Sequence, residues 1–283
     1  SPPPLPPEVS LLESAKKGYT DAVKQHIAAG SFLNDRDKDG NTPLQKAAKY
    51  GNLEVVKLLV NAGANVNALN DSGAAPIHSA LLIAGWSIPE GHTVKIIKFL
   101  IDNGANINAK TESYNIVANY DCGGFTTITL LHGASCLADL DVVKMLIDSG
   151  ADVNARSGNG QNPLHVCGSA EVATLLILKN VQIHAKDYDG NTPLHLAVTK
   201  DIASLLVSNG ADIKVKNKSG ETPLHIMAAR ALNGEVLEYL ISQGAPINLI
   251  NDSRKTPLDI ALKKNREDLA SVLYKHFAKQ GEE

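Results

Sequence analysis

GNTPLQKAAKYGNLEVVKLLVNAGANVNALND, from Gly40 to Asp71, carries in one copy a pattern that returns along most of the chain. Thr42 is a good N-cap, and Pro43 stands at the first helical position, where its missing N–H is a donor the helix start would leave unused. Leu44, Ala47 and Ala48 follow at helical spacing, and the small alanines let another helix approach closely. Gly51 ends that helix, after which Leu53, Val55, Val56, Leu58 and Leu59 lay out the apolar stripe of a second one. Gly63 suits a left-handed C-cap, and Asn65 to Asp71 with Gly73 predict an extended hairpin loop. Helix, turn, helix and hairpin make one unit.

Copies of its first element stand as TPLQ at Thr42, APIH at Ala75, TLLH at Thr129, NPLH at Asn162, TPLH at Thr192 and Thr222, and TPLD at Thr256. Their separations are 33, 54, 33, 30, 30 and 34 residues. Second-helix copies begin at Val94, Val142, Val172, Ile202 and Val236, most of them running into a Gly-Ala-Asn/Asp hairpin. A period near 33 with T-P-L-H-x-A is an ankyrin signature, and the chain resembles an ankyrin-repeat protein over roughly residues 9 to 280.

The resemblance implies an all-α repeat solenoid of about eight units, curved and some ~70 to 80 Å long at ~8 to 10 Å per helix layer. The units are expected near residues 9–38, 39–71, 72–127, 128–159, 160–189, 190–219, 220–253 and 254–283, after a proline-rich linker over 1–8. The first lacks the TPLH element, and the last lacks the Gly-Ala-Asp-Val-Asn hairpin and carries Lys263, Lys264, Arg266, Glu267 and Asp268. Both read as polar caps. The linker SPPPLPPEVS predicts polyproline II; it holds two PxxP matches but no Lys or Arg to orient docking on an SH3 domain.

Aromatic residues are only 4% of the chain, too few for large globular cores but enough for thin Ala and Leu layers. A net charge of -3 gives no general attraction to nucleic acid or an anionic membrane. Cys122, Cys136 and Cys167 are odd in number and lack CxxC spacing, so reduced thiols in a cytosol-like compartment are expected. No apolar run reaches eighteen residues, and neither membrane insertion nor a signal peptide is expected.

Departures from the period locate what is particular to this chain. The 54-residue gap adds six residues between the paired helices, near 81–92, and fifteen to the hairpin, near 111–127. The first insertion carries Leu82, Ile83, Trp86 and Ile88, and the second Tyr114, Ile116, Val117, Tyr120 and Phe125. Side chains of this kind anchor interfaces or pack locally on the stack. In the fifth and sixth units three residues are missing, which predicts a lost helix-helix turn and a recessed face beside Gly168, Ser169, Thr199 and Lys200.

Chemistry is not evident. His78, His132, His165, His195 and His225 form a column about one repeat apart, and ~8 to 10 Å is too far for ligands of one zinc, bonded at ~2.0 to 2.1 Å. Cys136 near His132 and Cys167 near His165 could in principle form a Cys-His nucleophile, although Ala-rich surroundings favour inert buried thiols. P-loop, GxGxxG, HExxH and GxSxG motifs are absent from the sequence. Neither catalytic residues, a metal nor a cofactor is expected.

In the ankyrin family, partners bind a concave face built from hairpin tips and the exposed side of each first helix. Carried onto this sequence, that implies tip candidates Arg36, Lys38 and Tyr188, helix-face candidates Tyr50, Leu82, Ile83, Leu137, Lys200 and Arg230, and insertion candidates Trp86, Tyr114, Tyr120 and Phe125. The resemblance thus implies a monomeric scaffold or adaptor for a partner protein, in the cytoplasm or, for a bacterial effector, in the cytoplasm of a host, with the nucleus left open. The alternative is an enzyme or enzyme-regulating module with its site at the insertions. Asn67, Asn108 and Asn154 also match a hairpin motif hydroxylated in some eukaryotic members.

Overall fold

The computed structural model describes residues 7–81, 91–112, 127–230, 234–277 and 279–281. Two compact units form, one from the residues up to Ala134 with Asp139–Asp152, the other from Ser135–Ala138 with Val153 onward.

In the first unit, α1 (Leu11–Lys17), α3 (Pro43–Lys49) and α5 (Pro76–Leu81) pack side by side, while α2 (Thr20–Ala28), α4 (Leu53–Asn61), α6 (His92–Asp102) and α8 (Leu140–Asp148) form a second row. The helix α7 (Leu130–Cys136) precedes α8 in the chain. Leu44, Ala47 and Ala48 are fully buried, and so are Val55, Val56 and Leu59 apart from a trace of Val55. Each such leucine contributes ~1.5–3 kcal/mol by leaving water. The expected all-α repeat stack is therefore what these residues build.

The second unit repeats the arrangement. Its first row is a single 3-10 turn at Pro163–Val166, then α10 (Pro193–Leu196), α12 (Pro223–Ala229) and α14 (Pro257–Lys263). Its second row is α9 (Ala170–Leu178), α11 (Lys200–Ser208), α13 (Gly234–Ser242) and α15 (Glu267–Lys275).

The three residues missing from units five and six come out of the first helix itself, which corrects the expectation of a lost turn. Where Pro43–Lys49 makes seven helical residues, Pro163–Val166 and Pro193–Leu196 make four and then run extended through Cys167 and Ala197 to new N-caps at Ser169 and Thr199. Lys200, expected on a first-helix face, opens a second helix instead. Bonds to other repeats accompany the shortening: Arg230 donates to Leu196 O (3.3 Å) of the shortened helix, and Gly168 N–H, past the other shortened helix, donates to Ser135 O (2.9 Å) of the preceding full-length helix.

Among the described residues most hairpin arms are not strands. The exception borders the longer insertion, where β1 (Lys110–Glu112) and β2 (Thr127–Thr129) pair antiparallel in the register Lys110↔Thr129, Thr111↔Ile128, Glu112↔Thr127.

Candidate interaction surface

Among the described residues, six hairpin tips are each shaped by one short polar side chain that accepts two backbone N–H groups. Asp37 takes those of Asp39 (3.0 Å) and Asn41 (2.8 Å), Asn70 those of Ser72 and Ala74, Asp187 those of Asp189 and Asn191, Asn217 those of Ser219 and Glu221, and Asn251 those of Ser253 and Lys255. Ser157 does the same through Oγ for Asn159 and Gln161. This turn closure directs intervening side chains such as Lys38 and Lys218 to solvent. Burial opposes the charge on Asp37, but the Lys46 ammonium, with which it forms an ion pair, and the N–H donors of Asn41 outweigh it and hold the carboxyl at about 2.

The residue three places after the accepting side chain takes a left-handed conformation, supplied by glycine at Gly40, Gly73, Gly160, Gly190 and Gly220 but by Arg254 (φ 59°) in the last hairpin. An L side chain there is strained. Arg254→Gly should raise stability by ~0.5–1 kcal/mol, checked as a higher urea midpoint with unchanged slope.

The helix starts explain the TPLH tetrapeptide. Ala75, Asn162, Thr192 and Thr222 each donate their backbone N–H to Nδ1 of the histidine three residues on, at 3.0 to 3.1 Å. The same contact from Thr129 to His132 is 3.4 Å. Nε2–H then donates to a carbonyl of the following hairpin: His78 to Ala109 (3.1 Å), His165 to Asn191 (3.1 Å), His195 to Glu221 (3.2 Å) and His225 to Lys255 (3.2 Å). An imidazole that accepts at one nitrogen and donates at the other is neutral. Burial accordingly lowers the pKa of His78 and His225 and brings His165 and His195 to about 4, against the weaker opposing pull of the carbonyls.

Both departures from His conserve this logic. Gln45 accepts the Thr42 N–H at Oε1 (2.7 Å) and donates Nε2–H to Ala74 O (2.6 Å), as a histidine would. Asp259 has no hairpin carbonyl to meet; its Oδ2 accepts from Thr256 N–H (2.8 Å) and from Gly281 N–H (2.8 Å).

The hairpin asparagines also link repeats. Asn67 Oδ1 accepts from Asn106 N–H (2.9 Å), Asn108 from Asp152 (3.0 Å) and Asn154 from Gln182 (2.8 Å), and Asn67 Nδ2 donates to Gly104 O (2.9 Å).

The cysteines require a correction. Cys136 is disulfide-bonded, so three reduced thiols do not exist, and the thiol argument for a reducing compartment falls with them. Cys122 lies outside the described residues. Cys167 is free and buried, donates to Ser169 O (3.1 Å), and is pushed up to about 12 by burial. Beside a neutral His165 it is no nucleophile. Among the described residues no group of three or more His, Cys, Asp and Glu could hold a metal ion, and no helix is long and apolar enough to cross a membrane.

Of the predicted partner-binding residues, Arg36 and Lys38 are exposed on either side of Asp37. Tyr50 caps α3, is 43% exposed, and has the Lys16 ammonium 5.8 Å from its ring centroid. All three belong to the first unit. Leu137 is half-buried just after α7, Tyr188 lays its ring against Gly160 while staying 62% exposed, and Arg230 is held at the end of α12; these belong to the second unit. Leu82, Ile83, Trp86, Tyr114, Tyr120 and Phe125 lie outside the described residues. Sequence reasoning overlooked Phe32, Leu69, Leu178 and Ile250, large apolar side chains that are all exposed. Comparing each hairpin with its copies would have shown Ile250 standing where the three preceding hairpins carry a cation.

The family model for ankyrin repeats (3 copies) matches residues 11–111, 131–217 and 199–282. No curated protein matches the chain significantly. Among solved structures, the crystal structure of the human ASB11 ankyrin repeat domain aligns over 84% of this chain and 99% of that one, with a TM-score of 0.68 and 20% identity, a likeness of fold.

Proposed function

The chain belongs to the ankyrin-repeat family, whose members generally act as protein-protein interaction modules, and from that premise we propose that it is a non-enzymatic scaffold or adaptor for a partner protein. In this reading residues 9–283 are one eight-unit repeat domain behind a proline-rich linker, and the partner meets the hairpin tips and the two insertions of the third unit. One observation carries it: among the described residues, the histidines of the helix starts are spent on joining repeats. His78, His165, His195 and His225 are neutral and bonded at both nitrogens, and Cys167 is a buried thiol, whereas tip residues Arg36, Lys38 and Tyr188 face water. The residues that flank the longer insertion pair as β1 and β2, a base suited to presenting a segment.

The test compares affinity capture by the whole chain with capture by a version in which residues 113–126 are replaced by a two-residue turn. A partner retained by the first and lost by the second, with Trp86→Ala weakening it by about tenfold or more, is the expected result. A partner retained equally by the shortened chain and by Arg36→Ala/Tyr188→Ala would reject this choice of site.

A further inference from the structure

Three hairpins of the second unit carry a cation at the same place, and each reaches across to its neighbour. Arg156 donates to Lys186 O, Lys186 Nζ to Lys216 O (3.3 Å), and Lys216 Nζ to Ile250 O (3.3 Å). The carbonyls that receive Arg156 and Lys186 belong to the residues bearing the next cation, and Ile250 receives the last, so the three charges are set in a row at the repeat spacing.

Their charge is not neutralised on the spot. Among the described residues none of the three forms an ion pair. The acids of the same hairpins are mostly engaged elsewhere. Asp187 is buried and accepts from Asp189 and Asn191, Asp212 accepts the Lys214 N–H (2.8 Å), and Glu221 accepts from Asn217 (3.2 Å) and Asn251 (3.5 Å). A lysine ammonium has three donors; Lys186 and Lys216 each spend one on a carbonyl. Exposed Lys214 and Lys218 stand in the same hairpins, and exposed Ile250 closes the row with an apolar side chain.

We propose that the row Arg156, Lys186 and Lys216 is a docking strip for an extended acidic polypeptide carrying a carboxylate at every third residue. The spacing selects this occupant: cations one repeat apart are separated by ~8 to 10 Å, and three residues of chain extended as polyproline II cover ~9 Å at ~3.1 Å each and bring every third side chain back to the same face. Nucleic acid fits less well, because its phosphates follow one another at ~3.4 Å of axis per strand, much closer than cations set ~8 to 10 Å apart. The fixed side chains lower the ordering cost of binding. This proposal rests on the interaction reading above and names the partner chemistry of one part of the surface.

Fluorescence anisotropy tests it with three labelled probes: a fifteen-residue peptide with Glu at every third position and Ser between, a peptide of the same composition with its Glu in one block, and a fifteen-nucleotide single strand of thymidine. The spaced peptide should bind at least about fivefold tighter than the blocked one and weaken steeply with salt. Arg156→Gln/Lys186→Gln/Lys216→Gln should weaken it about tenfold or more, while Lys24→Gln/Lys57→Gln/Lys98→Gln, with the same loss of charge, should change it less than twofold. No binding of the spaced peptide, equal binding of both peptides, tighter binding of the DNA, or an unaffected triple variant would each overturn the proposal. Should the triple variant fail to fold, NMR of the unaltered protein decides: peptide-induced shifts at the amides of residues 156, 186 and 216 support the strip, and shifts elsewhere alone reject it. Failure here, with partner capture still dependent on residues 113–126, would leave the scaffold reading standing.

Discussion

Acidification from pH 7.5 to 5 should remove roughly 4 kcal/mol of stability through His165 and His195 alone, about 2 kcal/mol from each. In the folded chain their pKa values are about 4, against 6.5 for the unfolded model value. Between those values the unfolded chain binds more protons, so stability rises with pH across the window. The contribution is present above 6.5 and is lost as the pH falls toward 4. His78 and His225 are lowered too and act in the same direction. The cause is burial, which disfavours the charged ring, and the bonding acts with it: a proton on Nδ1 would face the backbone N–H of Ala75, Asn162, Thr192 or Thr222. Gln45 shows how to remove the effect, since its amide makes both bonds without titrating. Urea unfolding of His165→Gln/His195→Gln at the two pH values should show the pH-dependent difference reduced by roughly 4 kcal/mol. An undiminished difference would place the acid sensitivity elsewhere.

The second large effect separates two reasons for glycine. Gly190 and Gly244 share a left-handed φ of 83°. A Cβ on Gly190 would lie 2.9 Å from Lys218 N and 3.2 Å from Asn217 Cα, whereas one on Gly244 would meet nothing within 4 Å. Gly244→Ala should therefore cost only the conformational term, ~1 to 2 kcal/mol. Gly190→Ala adds a collision with backbone that cannot swing aside, for a total of ~3 kcal/mol or more. It also strains the Lys218 N–H to Asp189 O bond (2.8 Å) between hairpins. Equal losses in the two variants, measured by urea unfolding, would mean that neighbouring hairpins shift apart freely.

Much of this was legible from residues alone. TPLQ at Thr42 announces a helix start because N-cap, N1 proline and a side chain at N3 act within four residues, and the capping box at Thr42 and Gln45 is the result. The third unit's excess length was equally open to counting, and its described flanks pair as β1 and β2. Less legible was where a deletion falls. Counting finds three residues missing after Asn162 and Thr192, but whether the turn or the helix gives way depends on who takes up the freed carbonyls. Leu196 O is taken up by Arg230, and the N–H of Gly168 finds Ser135 O of the preceding helix, in both cases a partner from another repeat.

Local patterns, which act over a few residues through capping, helical spacing and left-handed glycines, determined the repeat, its helices and its turns before any folding in space. Tertiary structure decided what depends on partners 22 to 34 residues away: the neutral state of His165 and His195, the inverted bonding of Asp259 to Gly281, and the row of Arg156, Lys186 and Lys216. A hydrogen bond between stacked repeats has no signal within either repeat alone, because donor and acceptor become neighbours only when one layer settles on the next.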